Sequence, residues 1–167
     1  DTINAEALQK ANRLQVISRY GVGTDNVDLE YARERNIIVT NTPGANSVSV
    51  AELAMGLVLA LLRQIPQAVQ ATRAGEWPRL NGLSLEGKTV GIIGFGAVGK
   101  QFGRRLKGFN CRVLAYDPYP DHPFAAEFGI QICSLDELLQ LSDIISLHLP
   151  LSSTTQGMVD EVFISRI

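Results

Sequence analysis

Lys88-Thr89-Val90-Gly91-Ile92-Ile93-Gly94-Phe95-Gly96-Ala97-Val98-Gly99 sets a short apolar, β-branched run directly before a G-x-G-x-x-G turn. Thr89–Ile93 reads as a buried strand, and the residues from the turn to about Phe109 read as a helix. A second run, Arg112–Tyr116, reads as the next strand and ends in Asp117, eighteen residues after Gly99.

The order strand, glycine turn, helix, strand, acid has a chemical meaning. Gly94 permits a tight turn, Gly96 lets the backbone approach a pyrophosphate, and Gly99 lets the helix pack close to the strand. The amides around Ala97 and Val98 open the helix, where partial positive charge favours an anion. Asp117 can accept hydrogen bonds from an adenosine ribose and would repel a 2′-phosphate. No Arg or Lys lies between Pro118 and Pro123 to reverse that preference. The expected cofactor is therefore NAD rather than NADP. The competing readings are a plain glycine-rich turn with an incidental aspartate, or another cofactor user such as a methyltransferase. These features together favour the dinucleotide.

The flanks extend the alternation of strand and helix that marks a parallel α/β sheet. After Asp117, a loop with Pro118, Pro120 and Pro123 leads to a short helix and a strand over Ile130–Cys133. Ser134 and Glu137 then form a capping box, and a last strand over Ile144–Leu149 stops at Pro150. Upstream, Leu14–Ser18 reads as a strand, Gly21-Val22-Gly23 as a turn, and Leu29–Arg35 as a helix capped by Asp28. Ile37–Thr40 follows as a strand, closed by Asn41, Pro43 and Gly44. Asn46 or Ser47 caps a long helix over Val48–Ile65. It is apolar on nearly every face from Leu53 to Leu62, which predicts burial on all sides. Pro66 is expected to bend or break it, and Gly75 to close the helical stretch after it. Trp77–Gly87 reads as a connection between domains.

With 167 residues, 46% of them hydrophobic and 19% charged, the chain can build a real core and is no disordered tail. Its net charge of −2 and lack of a basic run argue against a nucleic-acid surface. The longest apolar stretch, Leu53–Leu62, is half a membrane span. Cys111 and Cys133 sit in apolar segments without ligand spacing, which predicts reduced, structural thiols, no metal, and a cytoplasmic setting. The chain opens on Asp1, without a signal peptide, and closes on Ile167 in what reads as the middle of a helix. The expectation is an excerpt of a longer protein.

Four segments carry a family resemblance. They are Arg19-Tyr20-Gly21-Val22-Gly23-Thr24-Asp25-Asn26-Val27-Asp28; Asn41-Thr42-Pro43-Gly44-Ala45-Asn46-Ser47 with Val50-Ala51-Glu52; Gly87–Gly96; and His148-Leu149-Pro150-Leu151 with Thr155. In this order they resemble the D-isomer-specific 2-hydroxyacid dehydrogenases, and within them the D-3-phosphoglycerate dehydrogenase branch. The resemblance implies a Rossmann-type doubly wound parallel sheet plus part of a flavodoxin-like substrate domain. Residues 1–45 would be the tail of the first part of the substrate domain, and 46–167 the NAD-binding domain, truncated at its C-terminal end. Val22 and Gly23 would hold a substrate carboxylate through backbone amides, a task that a glycine turn after a strand suits. Arg19 would meet a substrate phosphate, and Tyr20 stands where many relatives carry a smaller residue. Asn46 and Val50 would sit near the nicotinamide, with His148, Pro150, Ser152 and Thr155 on the cofactor side. Ser152 replaces the usual Thr.

The resemblance also implies hydride exchange between nicotinamide and a D-2-hydroxy acid such as 3-phosphoglycerate, as in serine biosynthesis. The alternatives are reduction of hydroxypyruvate or glyoxylate, and a non-enzymatic dinucleotide sensor resembling the C-terminal-binding-protein corepressors. A resemblance to the NAD domain of adenosylhomocysteine hydrolases, through the glycine turn and Lys100, leaves Gly21–Asp28 and Asn41–Glu52 unexplained. The catalytic Arg, Glu and His of the dehydrogenases are expected beyond Ile167; Arg166, followed by Ile167 rather than Gly, does not match that Arg. The resemblance implies that the region of Val48–Leu62 and Trp77 is where relatives form dimers, so a homodimer or higher homo-oligomer is expected, with no membrane or nucleic-acid partner.

Overall fold

The computed structural model describes residues 2–167, and Asp1 lies outside it. The chain forms two compact units, the first ending at Asn46 and the second running Ser47–Ile167.

Unit 1 contains α1 (Ala5–Gln9), β1 (Val16–Ser18), α2 (Leu29–Glu34) and β2 (Ile38–Thr40). The two strands pair in parallel, Val16 opposite Ile38 and Ser18 opposite Thr40. Asn4 and Asp28 cap the helices by accepting the N–H groups of Ala7 and Tyr31. Leu8, Ile17, Val27, Ala32 and Ile37 make the core. Both strands are shorter than the sequence predicts. Leu14 N–H closes a turn onto Ala11 O, and Ile37 N–H returns to Ala32 O at the end of α2, so neither joins the ladder.

Unit 2 opens with α3 (Ser47–Leu62) and α4 (Ile65–Arg73), bent by 66° from one another. The break is not at Pro66, as expected, but at Gln64, whose φ is 52°. Pro66 occupies the first turn of α4, where its missing N–H costs nothing. The expectation that α3 is buried on all sides fails. Ala51, Met55, Val58 and Leu62 enter the core, whereas Leu53, Leu57 and Leu61 remain exposed at 63, 62 and 75%. Uniform apolarity gave no direction to the helix; packing against the helix over Ala97–Leu106 chose the inward stripe. Residues 77–87 do not link the units. They lie within unit 2, tied to the end of α3 by Leu83 N–H to Leu62 O and by Gln64 Nε2 to Asn81 O, both 2.8 Å.

The remaining elements are β3 (Thr89–Ile93), α5 (Ala97–Leu106), a 3-10 turn (Lys107–Phe109), β4 (Arg112–Tyr116), α6 (His122–Phe128), β5 (Gln131–Ile132), α7 (Leu135–Leu141), β6 (Ile144–Leu147) and α8 (Glu161–Ile164). The expected strands over Thr89–Ile93 and Arg112–Tyr116 form with those bounds. The strands expected over Ile130–Cys133 and Ile144–Leu149 are shorter, and the last helix ends at Ile164 rather than running through Ile167. Only half of the capping box forms: Ser134 Oγ accepts the Glu137 N–H at 3.2 Å.

The sheet order is β5-β4-β3-β6, all parallel. Val90 and Ile92 point into one core layer with Phe102 and Leu106 of α5. Ile93 joins the other, with Leu138 and Leu139 of α7 and Phe163 of α8. Helices on both faces explain why β3 is apolar throughout rather than alternating. The chain leaves β3 for β4 on one side and later returns to place β6 on the other. That reversal opens a crevice at the carboxyl ends of β3 and β6.

Candidate dinucleotide site

Gly94 stands at that crevice with φ +93°, and a Cβ there would lie 2.5 Å from His148 O at the end of β6. Gly99 is buried, and its Cβ would lie 2.0 Å from Gly94 O, so α5 can approach the turn only through a glycine. Gly96 is different. It is exposed, and its Cβ would meet nothing within 4 Å. Two glycines are thus required by the protein's own packing, and the middle one is not. Gly96 also heads α5 with no side-chain cap. No acceptor among the described residues takes the Ala97 or Val98 N–H, so the turn presents free donors to an anion.

Asp117, half-buried at the end of β4, is aimed back at this turn. Its Oδ2 accepts the Phe95 N–H at 2.7 Å, and its Oδ1 accepts the Tyr119 N–H at 2.8 Å. Two contributors here escaped the sequence reading. Lys100 Nζ, one turn into α5, pairs with Asp121 Oδ2 at 2.9 Å. Asp121 also caps α6 by accepting the Phe124 N–H. The Lys100 ammonium and that N–H hold the Asp121 carboxyl below the usual carboxylate range. The signal was present: Asp121 stands immediately before His122-Pro123, where an N-cap is favoured. Phe95 packs edge-on against Phe124, with ring centroids 5.9 Å apart.

On the β6 side, His148 is half-buried. Its Nε2 lies 3.0 Å from Ser146 Oγ, and its ring packs on Phe102. Burial pushes its pKa below the ordinary histidine value, which favours the uncharged ring. Val50 and His148 line one apolar groove of about 380 Å³ between α3 and β6. Pro150, Ser152 and Thr155 come together in one knot. Thr155 Oγ1 donates to Pro150 O at 2.6 Å and accepts the Ser152 N–H at 2.8 Å. Burial also raises the pKa values of Cys111 and Cys133, neither of which forms a disulfide.

Unit 1 carries the other predicted group. Gly21 has φ +147°, and its N–H donates to Thr42 Oγ1 at 3.1 Å. Thr42 N–H returns to Gly21 O, and Asn41 Nδ2 donates to Val22 O. Thr42 and Asn41, to which the sequence reading gave no site role, pin the turn. No acceptor among the described residues takes the Val22 or Gly23 N–H. Arg19 lies over Gly21, with its Nε bonded to Asn26 Oδ1 and its Nη1 to Tyr20 O. Tyr20 is 95% exposed. Asn46 is exposed at the end of unit 1.

Comparison with known proteins gives this arrangement a family. D-3-phosphoglycerate dehydrogenase of Methanocaldococcus jannaschii is 44% identical over 160 residues, which cover 94% of this chain and 30% of that protein. The chain thus spans under a third of the length of that curated relative. Among solved structures, apo D-lactate dehydrogenase from Escherichia coli superposes with a TM-score of 0.90 at 36% identity, covering all of this chain and 54% of that one. D-lactate dehydrogenase from Aquifex aeolicus, complexed with NAD and lactic acid, does so at 0.89 and 32%, covering all of this chain and 51% of that one. Residues 55–167 match the description "D-isomer specific 2-hydroxyacid dehydrogenase, NAD binding domain". The chain belongs to the D-isomer-specific 2-hydroxyacid dehydrogenase family, and its glycine turn lies in the family's NAD-binding domain.

Proposed function

We propose that the protein to which this chain belongs is an NAD-dependent oxidoreductase acting on a D-2-hydroxy acid, with 3-phosphoglycerate and its 2-keto product 3-phosphohydroxypyruvate as the preferred pair. The observation that carries the reaction class is the open space over Gly96 beside free α5 amides and the Asp117 carboxylate. These residues fit a dinucleotide: amides for the pyrophosphate, and a carboxylate for the adenosine ribose. The bound dinucleotide supplies a hydride acceptor, or donor, at the nicotinamide.

Each residue then has a physical task. Ala97 and Val98 bind phosphate oxygens through their N–H groups. Asp117 accepts ribose hydroxyls, and its charge rejects a 2′-phosphate. Val50 and His148 offer an apolar wall, with a neutral imidazole held by Ser146. Pro150, Ser152 and Thr155 shape the neighbouring loop. In unit 1, the Val22 and Gly23 amides hold the substrate carboxylate, and Arg19 takes a substrate phosphate through paired donors. Asn46 completes the substrate-side set. Residues 1–45 form the tail of a flavodoxin-like substrate domain, and 46–167 the nucleotide domain. The preference for the phosphorylated acid is supported by the naming of the curated relative and by Arg19. We assign the protein to the cytoplasm on its free thiols, and to a homodimer on the exposed face of α3 and the 88% exposed Trp77.

The test uses the full-length protein and follows NADH loss with 3-phosphohydroxypyruvate, hydroxypyruvate, glyoxylate and pyruvate. The expected result is a preference for the phosphorylated acid that Arg19→Ala reduces by about tenfold or more in kcat/KM, as loss of a charge-assisted contact does. Activity confined to the smaller acids would retain the reaction class and remove the phosphate role. Binding of NADH without reduction of any keto acid would replace the enzyme reading with the sensor reading.

A further inference from the structure

Phe95 is 2% exposed, and its N–H needs an acceptor inside the protein. The neighbouring rung of the β3–β4 ladder, Gly94 N–H to Tyr116 O at 2.9 Å, is backbone to backbone. The pairing with β4 ends there, and, one residue on, the Asp117 side chain supplies the acceptor for the Phe95 N–H, Oδ2 at 2.7 Å. The other oxygen closes a local turn on the Tyr119 N–H. The carboxylate therefore joins two loops, the glycine turn and the segment that leads to α6.

We propose that Asp117 is a positioning residue for the glycine turn, holding it in its anion-binding shape before any ligand arrives, as well as a ribose acceptor. This deepens the dinucleotide reading given above and rests on it. The bond is short and charge-assisted, the stronger kind. Phe95, in the first half of the turn, is thus held at two points, its N–H on Asp117 and its ring on Phe124. The Ala97 and Val98 donors are then aimed without reorganisation. The two tasks are compatible, because each carboxylate oxygen has a second lone pair to offer a ribose hydroxyl.

The test compares the full-length parent with D117A and D117N in two ways. Residue-resolved amide hydrogen exchange without ligand reads the turn. D117A should speed exchange at Phe95 by about tenfold or more while Val90–Ile93 stay protected. D117N, whose amide oxygen can still accept, should remain within about threefold of the parent. Binding is then measured for NADH and for an NADH analogue whose adenosine ribose lacks both hydroxyls, a chemical double-mutant cycle. D117A should weaken the analogue by about tenfold, because the turn is loosened even where no ribose hydroxyl is present. Unchanged Phe95 exchange in D117A, or an analogue that binds D117A as tightly as the parent, overturns the proposal. If D117A does not fold, D117L, which fills the space but has no acceptor, decides on the same readouts: faster Phe95 exchange with about tenfold weaker binding of the analogue supports the proposal, and parent-like values for either overturn it. A parent that binds neither ligand defeats the dinucleotide reading, and the exchange measurement still decides whether Asp117 holds the turn.

Discussion

At the residue scale, three glycines of one motif answer to different masters, and substitution should separate them. A methyl group at Gly99 would lie 2.0 Å from Gly94 O, a backbone atom that cannot step aside without moving β3 or α5. Gly99→Ala should therefore lower the unfolding free energy by about 1–3 kcal/mol, the range for overpacking in a close-packed interior. Gly96 has open space where its Cβ would be, so Gly96→Val should leave stability within about 1 kcal/mol of the parent. The same valine occupies the approach of the pyrophosphate, and NADH affinity should fall by at least about a hundredfold. Thermal unfolding and NADH fluorescence titration on the two variants check this double dissociation. A Gly96→Val protein that still binds NADH normally would remove the middle glycine from the site.

At the scale of elements, the sheet is stitched where β3 begins. Asp143, just before β6, accepts the Thr89 N–H at 2.8 Å and pairs with Lys88 Nζ at 3.1 Å. The Thr89 N–H first, and then the Lys88 ammonium, hold its carboxyl below the usual carboxylate range. A folded-state pKa below the unfolded value, about 3.9, means that the unfolded chain binds the proton more readily. The stabilisation is then complete above that unfolded value and is lost as pH falls through the lowered folded value. Asp143→Asn should be less stable than the parent at pH 6–7, and the gap should close in acid; urea unfolding at a series of pH values tests it. Strands and caps of this kind are the most legible part of the molecule. Thr89–Ile93 and Arg112–Tyr116 are legible to the residue because they are largely apolar or β-branched and end at Gly94 and Asp117. The Asp28 and Ser134 caps follow from residue type and position alone. What escaped was set by distant partners. The break between α3 and α4 fell at Gln64 although Pro66 advertised it, because a proline is comfortable in a first helical turn. Lys100 with Asp121, and Thr42 with Gly21, each join residues 21 apart in sequence, a distance at which periodicity carries no information.

For the whole molecule, the unanswered surface is the outer stripe of α3. Leu53, Leu57 and Leu61 repeat every four residues, so they lie one above another on one face of the helix. They are exposed at 63, 62 and 75%, and they line the groove along β6 together with Val50 and His148. An apolar stripe of this length is uncommon on an isolated soluble surface and marks a place where something docks. The opposite stripe, Ala51, Met55, Val58 and Leu62, already anchors α3 to its own unit, and Glu52 adds an ion pair to Arg105 at 2.8 Å. The fold of unit 2 therefore does not depend on the outer leucines. Leu57→Glu should leave the unfolding free energy of the isolated subunit within about 1 kcal/mol of the parent while placing a charge at the centre of the stripe. If a second copy covers this face, as proposed, sedimentation of the full-length variant should shift from dimer toward monomer, with the dissociation constant raised about a hundredfold or more. A variant that keeps the parent's sedimentation but unfolds more easily would instead show that the protein covers the stripe with its own chain.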